Sequence, residues 1–280
     1  EMLDNVLQYF IDNAPKTIAR AKFSAMRERS IGIGALGWHA YLQKNMLPWE
    51  SALAVSANHR IFKHIKKKLD EANLELGTER GEAPDAMGTG KRFSHMQAIA
   101  PNASSSILMN NTSPSIEPYR ANAYRQDTLS GAYLNKNRFL DELLKSKAKE
   151  EDLQEIWSNI IANDGSVSNV DVLTDEEKDV FKTAMEIDQR WVVQHAADRQ
   201  EYIDQAQSLN VFFRPDSNVK YVHAVHFQAW KQGLKTMYYC RSEKIGKADK
   251  VAKKIERDVI KEIDLKSLAK DDEVCIACEG

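Results

Sequence analysis

Between Ser208 and Cys240 the chain reads strand, helix, strand, and that order restricts its fold more than any other stretch. Ser208-Leu209-Asn210-Val211-Phe212-Phe213 continues Gln207 as a short apolar run of the kind that suits a strand. Ser217 or Asn218 stands where a helix N-cap belongs. In the helix that follows, Val222, Val225 and Ala229 share one side, Trp230 and Leu234 extend the apolar surface, and Gly233 suits the stop. Lys235-Thr236-Met237-Tyr238-Tyr239-Cys240 then reads as a second short strand. Two strands joined through a helix fit a parallel arrangement, so the fold class is α/β.

The rest of the chain is compatible with that class. Leu3, Val6, Leu7 and Phe10 fall at helical spacing, and Pro15 stands near the start of a second helix through Ala19, Phe23 and Met26. Gly32, Gly34 and Gly37 spell a G-x-G-x-x-G, but the residues before them are charged and helical in pattern. A dinucleotide loop needs a buried strand there, so close helix packing through small residues is the expectation. Trp49 to Leu76 is again helical, and its basic run from Lys63 to Lys68 reads as a solvated face. Residues 77–94 are polar and glycine-containing, like a surface loop. Met96 to Ala100 is a possible strand that feeds Pro101-Asn102-Ala103-Ser104-Ser105-Ser106. Small residues opening a helix there make either an anion site or an ordinary N-cap.

Residues 119–216 read as mostly helical. Phe139, Leu140, Leu143 and Leu144 form one face, and Leu153, Ile156, Trp157 and Ile160 another. Thr174 and Glu177 make a capping box for a helix carrying Val180, Phe181, Ala184 and Ile187. His195 is expected to be a packed residue rather than a ligand.

Net charge is -2, so no global basic field exists to hold nucleic acid. No apolar run reaches membrane-span length, and the opening residues lack a secretory pattern. A soluble chain in the cytoplasm is the expectation. The chain holds three cysteines, all in its last 41 residues, which is too few for a disulfide framework. From Ser242 onward it is rich in Lys, Asp and Glu, lacks aromatics, and ends near Cys275-Ile276-Ala277-Cys278. That C-x-x-C admits three readings: half a zinc site without a partner pair, a thioredoxin-like motif in the wrong setting, or a dithiol shuttle on a mobile tail. Position favours the shuttle, since a flexible stretch from Tyr239 to Cys275 would span about 33 Å root-mean-square.

Taken in order, several stretches resemble the C-terminal part of the large, catalytic subunit of class I ribonucleotide reductase. They are Arg29-Ser30-Ile31-Gly32-Ile33-Gly34, Ala100 to Ser106, Ser115-Ile116-Glu117-Pro118, Asp204 to Asn210, Lys235 to Tyr239, and the terminal Cys275 and Cys278. Each is weak alone, but their joint order and spacing is specific. The resemblance implies that residues 1–241 are the second half of a ten-stranded α/β barrel and that 242–280 are a mobile redox tail. It implies that Ala103, Ser104, Ser105 and Ser106 hold the diphosphate of a nucleoside diphosphate substrate. Tyr238 and Tyr239 become the pair that relays a radical from the small subunit. Cys275 and Cys278 become the dithiol that re-reduces the active-site disulfide and is recharged by thioredoxin or glutaredoxin.

No cofactor or metal is expected on this chain itself. The radical would come from the metal-containing small subunit, and nucleotide effectors would bind mainly through the missing half. The chain has no cysteine before Cys240, so the family's radical-bearing and substrate-reducing cysteines are not in it. A split large subunit, active only with an N-terminal half, is the expectation, with an excised fragment as the rival. Two other functions stay open: a regulatory or decoy half-barrel that binds the small subunit without catalysis, and an independent thiol oxidoreductase.

Overall fold

Four stretches of extended backbone lie side by side and run in the same direction. Residues 31–33, 96–99 and 207–213 are joined by parallel bridges from Ile33 to Gln97 and from Ile99 to Gln207. The last of them pairs in parallel with residues 240–242, in the register Val211–Cys240, Phe212–Arg241, Phe213–Ser242. The structure, a computed structural model, describes residues 1–128 and 131–242, with backbone alone over 125–128 and 131–133. Residues 243–280, and with them Cys275 and Cys278, lie outside the described residues.

Sheet neighbours are successive in the chain, so helices occupy the crossovers. Helices α1 (Met2–Asn13) and α2 (Ala19–Glu28) lead into the first stretch, and α3 (Trp38–Lys44) and α4 (Ala52–Arg80) into the second. Between the second and third come α5 (Ala103–Leu108), an antiparallel hairpin of β1 (Ala123–Thr128) and β2 (Gly131–Lys136), and four helices. These are α6 (Arg138–Lys147), α7 (Glu150–Ala162), α8 (Asp175–Val180) and α9 (Gln189–Gln200). Strands β3 (Val211–Phe213) and β4 (Cys240–Ser242) flank α10 (Val219–Lys231), the parallel unit read from the sequence.

The inner stretches have a neighbour on each edge and are largely buried, as a covered parallel sheet requires, although Gln97, Gln207 and Asn210 in them are polar. Ile99, Leu209, Val211 and Phe213 are buried with Trp38 and Leu42 of α3, Phe62 of α4, Val193 of α9 and Val225 of α10. A second core of Leu140, Leu144, Trp157, Ile160 and Phe181 sits among α6, α7 and α8. His195 is packed as expected: it is fully buried, stacks on Trp49 at 5.2 Å between ring centroids, and accepts at Nδ1 from Trp38 Nε1. Asn218 caps α10 by accepting from Lys220 N at 2.8 Å, and Gly233 ends that region at φ +78°.

Several sequence expectations are corrected. Residues 77–94 are not one loop, because α4 runs on to Arg80. Gly77 lies buried inside that helix, where the Gly90 carbonyl comes so close that a Cβ would sit 1.9 Å from its oxygen. Gly32 and Gly34 pack not against a helix but against the neighbouring extended stretch; a Cβ on Gly34 would be 2.6 Å from Ala98 O. Gly37 is the N-cap of α3 at φ +83°.

Residues 119–216 are not mostly helix throughout, since they contain the β1–β2 hairpin, whose sequence lacks clean apolar alternation. The Thr174–Glu177 capping box is present, but its helix stops at Val180 instead of running to Ile187. There Glu186 accepts from Thr183 N and Oγ1, both at 2.8 Å, and Ala184 N donates to Tyr119 O at 2.7 Å. Those bonds take the amides a continuing helix would use. Trp230 does not extend the buried face of α10, being 73% exposed. Among the described residues no helix is long and apolar enough to cross a membrane.

Candidate functional site

The second extended stretch ends at Ala100-Pro101, and α5 opens directly after it. Its N-cap residue Asn102 does not cap with its side chain. Asn102 Oδ1 instead accepts from Ser115 N at 2.6 Å, so the cap oxygen is spent on the next loop and not on the first turn of α5. Ala103, Ser104 and Ser105 are exposed. Ser106 differs: it is buried, its Oγ donates to Ala103 O at 2.5 Å and its amide donates to Asn102 O at 3.0 Å. Of the four residues singled out here, three face outward at a helix start and the fourth holds the turn closed. A helix start concentrates partial positive charge and unpaired N–H groups.

Residues 113–119 form the second wall. Ser113 Oγ accepts from Ala40 N at 3.0 Å, and Ser113 O accepts from Gly37 N at 2.9 Å. Ser115 adopts φ +48° and donates through Oγ to Ala100 O at 3.0 Å. Two residues on, Glu117 is 4% exposed and accepts from Asn210 Nδ2 at 2.7 Å. Burial pushes the Glu117 carboxyl up to about 7, against the pull of Arg120, Arg241 and the Asn210 bond. Arg120 lies over the Phe212 ring, 5.7 Å from its centroid, and its own burial pulls its pKa down.

The tyrosine pair lies along the edge of the sheet. Tyr238 N donates to Leu209 O at 2.8 Å, and Tyr239 O accepts from Val211 N at 3.0 Å. Tyr239 N donates to the side chain of Asn210, reaching Oδ1 at 3.0 Å. The two rings are 4.1 Å apart between centroids and tilted by 52°, so they are in contact without lying face to face. Each tyrosine is 49% exposed. A hydrogen bond with Tyr239, then repulsion from that neighbour, raises the Tyr238 phenol above its ordinary value. Arg241 sits over the Tyr239 ring at 5.1 Å, and Cys240 beside it is exposed.

Hydrogen bonds between Asn102 and Ser115, between Glu117 and Asn210, and between Asn210 and Tyr239 therefore connect the serine turn to the tyrosines, with the 115–117 backbone joining the first bond to the second. Sequence reasoning assigned no role to Glu117 or Asn210, although both fall in stretches it singled out; a buried acid is invisible until its neighbours are known. Other residues of those stretches are structural. Asp204 accepts from Met96 N and Gln97 N, each at 2.9 Å, and Gln205 Nε2 donates to Ile31 O at 2.7 Å. Among the described residues no group of His, Cys, Asp and Glu could hold a metal ion.

Residues 1–86 and 84–240 match the family described as ribonucleotide reductase, barrel domain. The chain belongs to that family. Its curated relatives include the ribonucleoside-diphosphate reductase large subunit of Invertebrate iridescent virus 6, 55% identical over 90% of this chain and 26% of the relative. The large subunit of Invertebrate iridescent virus 3 is 57% identical over 89% of this chain and 40% of that protein. The Actinobacillus ureae class Id ribonucleotide reductase alpha subunit superposes with a TM-score of 0.80 at 40% identity, covering 86% of this chain and 44% of that one. This reductase-family chain thus spans roughly a quarter to under a half of these relatives' lengths, and corresponds to the C-terminal part of the large subunit. The parallel stretches described above belong to the family's barrel domain.

Proposed function

We propose that this chain supplies the second half of a ten-stranded α/β barrel to a ribonucleoside-diphosphate reductase and acts with the N-terminal part of the large subunit. In this reading the turn at Ala103, Ser104, Ser105 and Ser106 grips the substrate diphosphate. Exposed first-turn residues and a helix start favour an anion there. Tyr238 and Tyr239 carry a radical arriving from the metal-containing small subunit. Each phenol gives up one electron and releases its proton in the same step, then recovers both when the radical moves on. Cys275 and Cys278 form the dithiol that restores the reducing equivalents and is recharged by thioredoxin or glutaredoxin. The overall chemistry replaces a ribose C–OH by C–H, spends two electrons from a dithiol, and releases the oxygen as water. This chemistry belongs in the cytoplasm.

The observation that supports this reading most strongly is the Tyr238–Tyr239 pair. Two half-exposed phenols lie in ring contact, 4.1 Å between centroids, with both backbones bonded to the adjacent strand region. Pairs buried for packing hide their rings; this one presents them. The test is to combine this chain with the remaining large-subunit part and the small subunit and follow deoxynucleoside diphosphate formation. Tyr238→Phe and Tyr239→Phe are each expected to lower turnover by about a hundredfold or more, while assembly by analytical ultracentrifugation is unchanged. Turnover without the rest of the large subunit, or near-normal turnover in both phenylalanine variants, overturns the reading.

A further inference from the structure

Glu117 is a buried acid for which the reductase reading has no task. It sits at the end of the loop whose Ser115 is bonded to Asn102, the N-cap residue of the serine turn. Its partner Asn210 is also buried, at 2% exposure. The Asn210 amide works in both directions: Nδ2 donates to Glu117 at 2.7 Å while Oδ1 accepts from Tyr239 N at 3.0 Å. These roles do not interchange, because the Tyr239 backbone N–H cannot accept: Oδ1 must face it, which leaves Nδ2 facing Glu117. Without Glu117 the Nδ2 group would be buried with no acceptor, and the amide would turn to find another. Tyr239 N would then lose its partner.

We propose that Glu117 and Asn210 are a positioning pair for the tyrosine relay: Glu117 sets the orientation of Asn210, and Asn210 sets the backbone of Tyr239 and so the spacing of the two phenol rings. This inference deepens the radical-relay reading and rests on it. Glu117 acts on the rings through Asn210, so it is a positioning residue and not a catalytic one. The burial of Glu117 and Asn210 strengthens the link, since a hydrogen bond in a low-dielectric interior holds its geometry more firmly. Arg241, packed over the Tyr239 ring, and Arg120, packed over Phe212, flank the same carboxyl with positive charge.

The test uses the full chain with 3-fluorotyrosine at position 239, alone and combined with the rest of the large subunit and the small subunit. Glu117→Ala is expected to move the fluorine resonance and to lower kcat about tenfold or more, leaving KM for the nucleoside diphosphate and affinity for the small subunit within about twofold. Glu117→Gln keeps the acceptor for Asn210 and is expected to hold kcat within about threefold. Asn210→Asp sets two carboxyls together, whose bond is lost once both ionise, and adding Glu117→Gln supplies a permanent donor at position 117. At a pH where the single variant has lost the resonance position, the double variant is expected to recover both the resonance and most of the turnover. A Glu117→Ala chain with unmoved resonance or near-normal kcat overturns the proposal. If Glu117→Ala does not fold, the Asn210→Asp variant decides, and failure of the second substitution to rescue it overturns the proposal. If the unsubstituted assembly itself does not turn over, the reductase reading falls, while the fluorine resonances still test the positioning pair.

Discussion

Three buried residues tie the stability of this chain to pH in opposing directions. His39 accepts from Tyr119 N at Nδ1, and His195 accepts from Trp38 Nε1 at its own Nδ1. Both acceptors are fed by N–H groups that cannot turn away, so a proton has no place on either nitrogen. Burial holds both imidazoles down at about 3 from an ordinary 6.5. Their contribution to stability is present above pH 6.5 and is lost as pH falls towards 3. Glu117 behaves in reverse, because burial raises it from 4.5 to about 7. Its contribution is present below pH 4.5 and is lost as pH rises through 7. Between these limits unfolding takes up protons at two histidines and releases one at Glu117, so the slopes partly cancel. Glu117→Gln removes the release and is expected to steepen the acid loss by up to ~1.4 kcal/mol per pH unit between about pH 5 and 6. Urea unfolding at several pH values measures this, and parallel curves for the two proteins would refute it.

At the level of single elements, the informative cases are those where local preference and tertiary contact disagree. Glycine inside a helix costs about 1 kcal/mol relative to alanine, so Gly77 in α4 looks like a site for improvement. The Gly90 carbonyl reverses that judgement, because an added Cβ would meet its oxygen at 1.9 Å and Arg92 N at 3.1 Å. Gly77→Ala is expected to destabilise by about 2 kcal/mol or more through overpacking against rigid backbone; a raised urea midpoint would show that the segment at 90–92 yields. Helix starts were legible because capping is local: Thr174, Asn218 and the strand–helix–strand order all read directly from spacing. The end of α8 was not, since the Ala184 amide is taken by Tyr119, 65 positions earlier in the chain. Nor was the β1–β2 hairpin, whose two strands lack clean apolar alternation.

For the molecule as a whole, the proposed reductase role reaches to Cys275 and Cys278. A dithiol that only recharges the active site is not needed for the first turnover. Cys275→Ser and Cys278→Ser are therefore each expected to cut steady-state turnover with thioredoxin or glutaredoxin to background while leaving a single reducing cycle intact. Rapid-quench measurement of the first cycle against the steady state separates the two, and an unchanged steady state would remove these cysteines from the mechanism.

Helix periodicity, caps and the order of motifs were available from the chain read residue by residue, because they depend on neighbours a few positions away. They suffice for the α/β class, the family resemblance, and the serine turn and tyrosine pair as places of interest. The partners of Glu117 lie 93 positions further on at Asn210, and Asn210 in turn reaches Tyr239, 29 positions beyond that. Whether a carboxyl stays charged, whether Trp230 is covered, and how far apart two phenols stand all depend on which distant backbone arrives beside them. Folding, and not spacing, settles those questions, because burial and hydrogen-bond pairing are properties of the assembled neighbourhood.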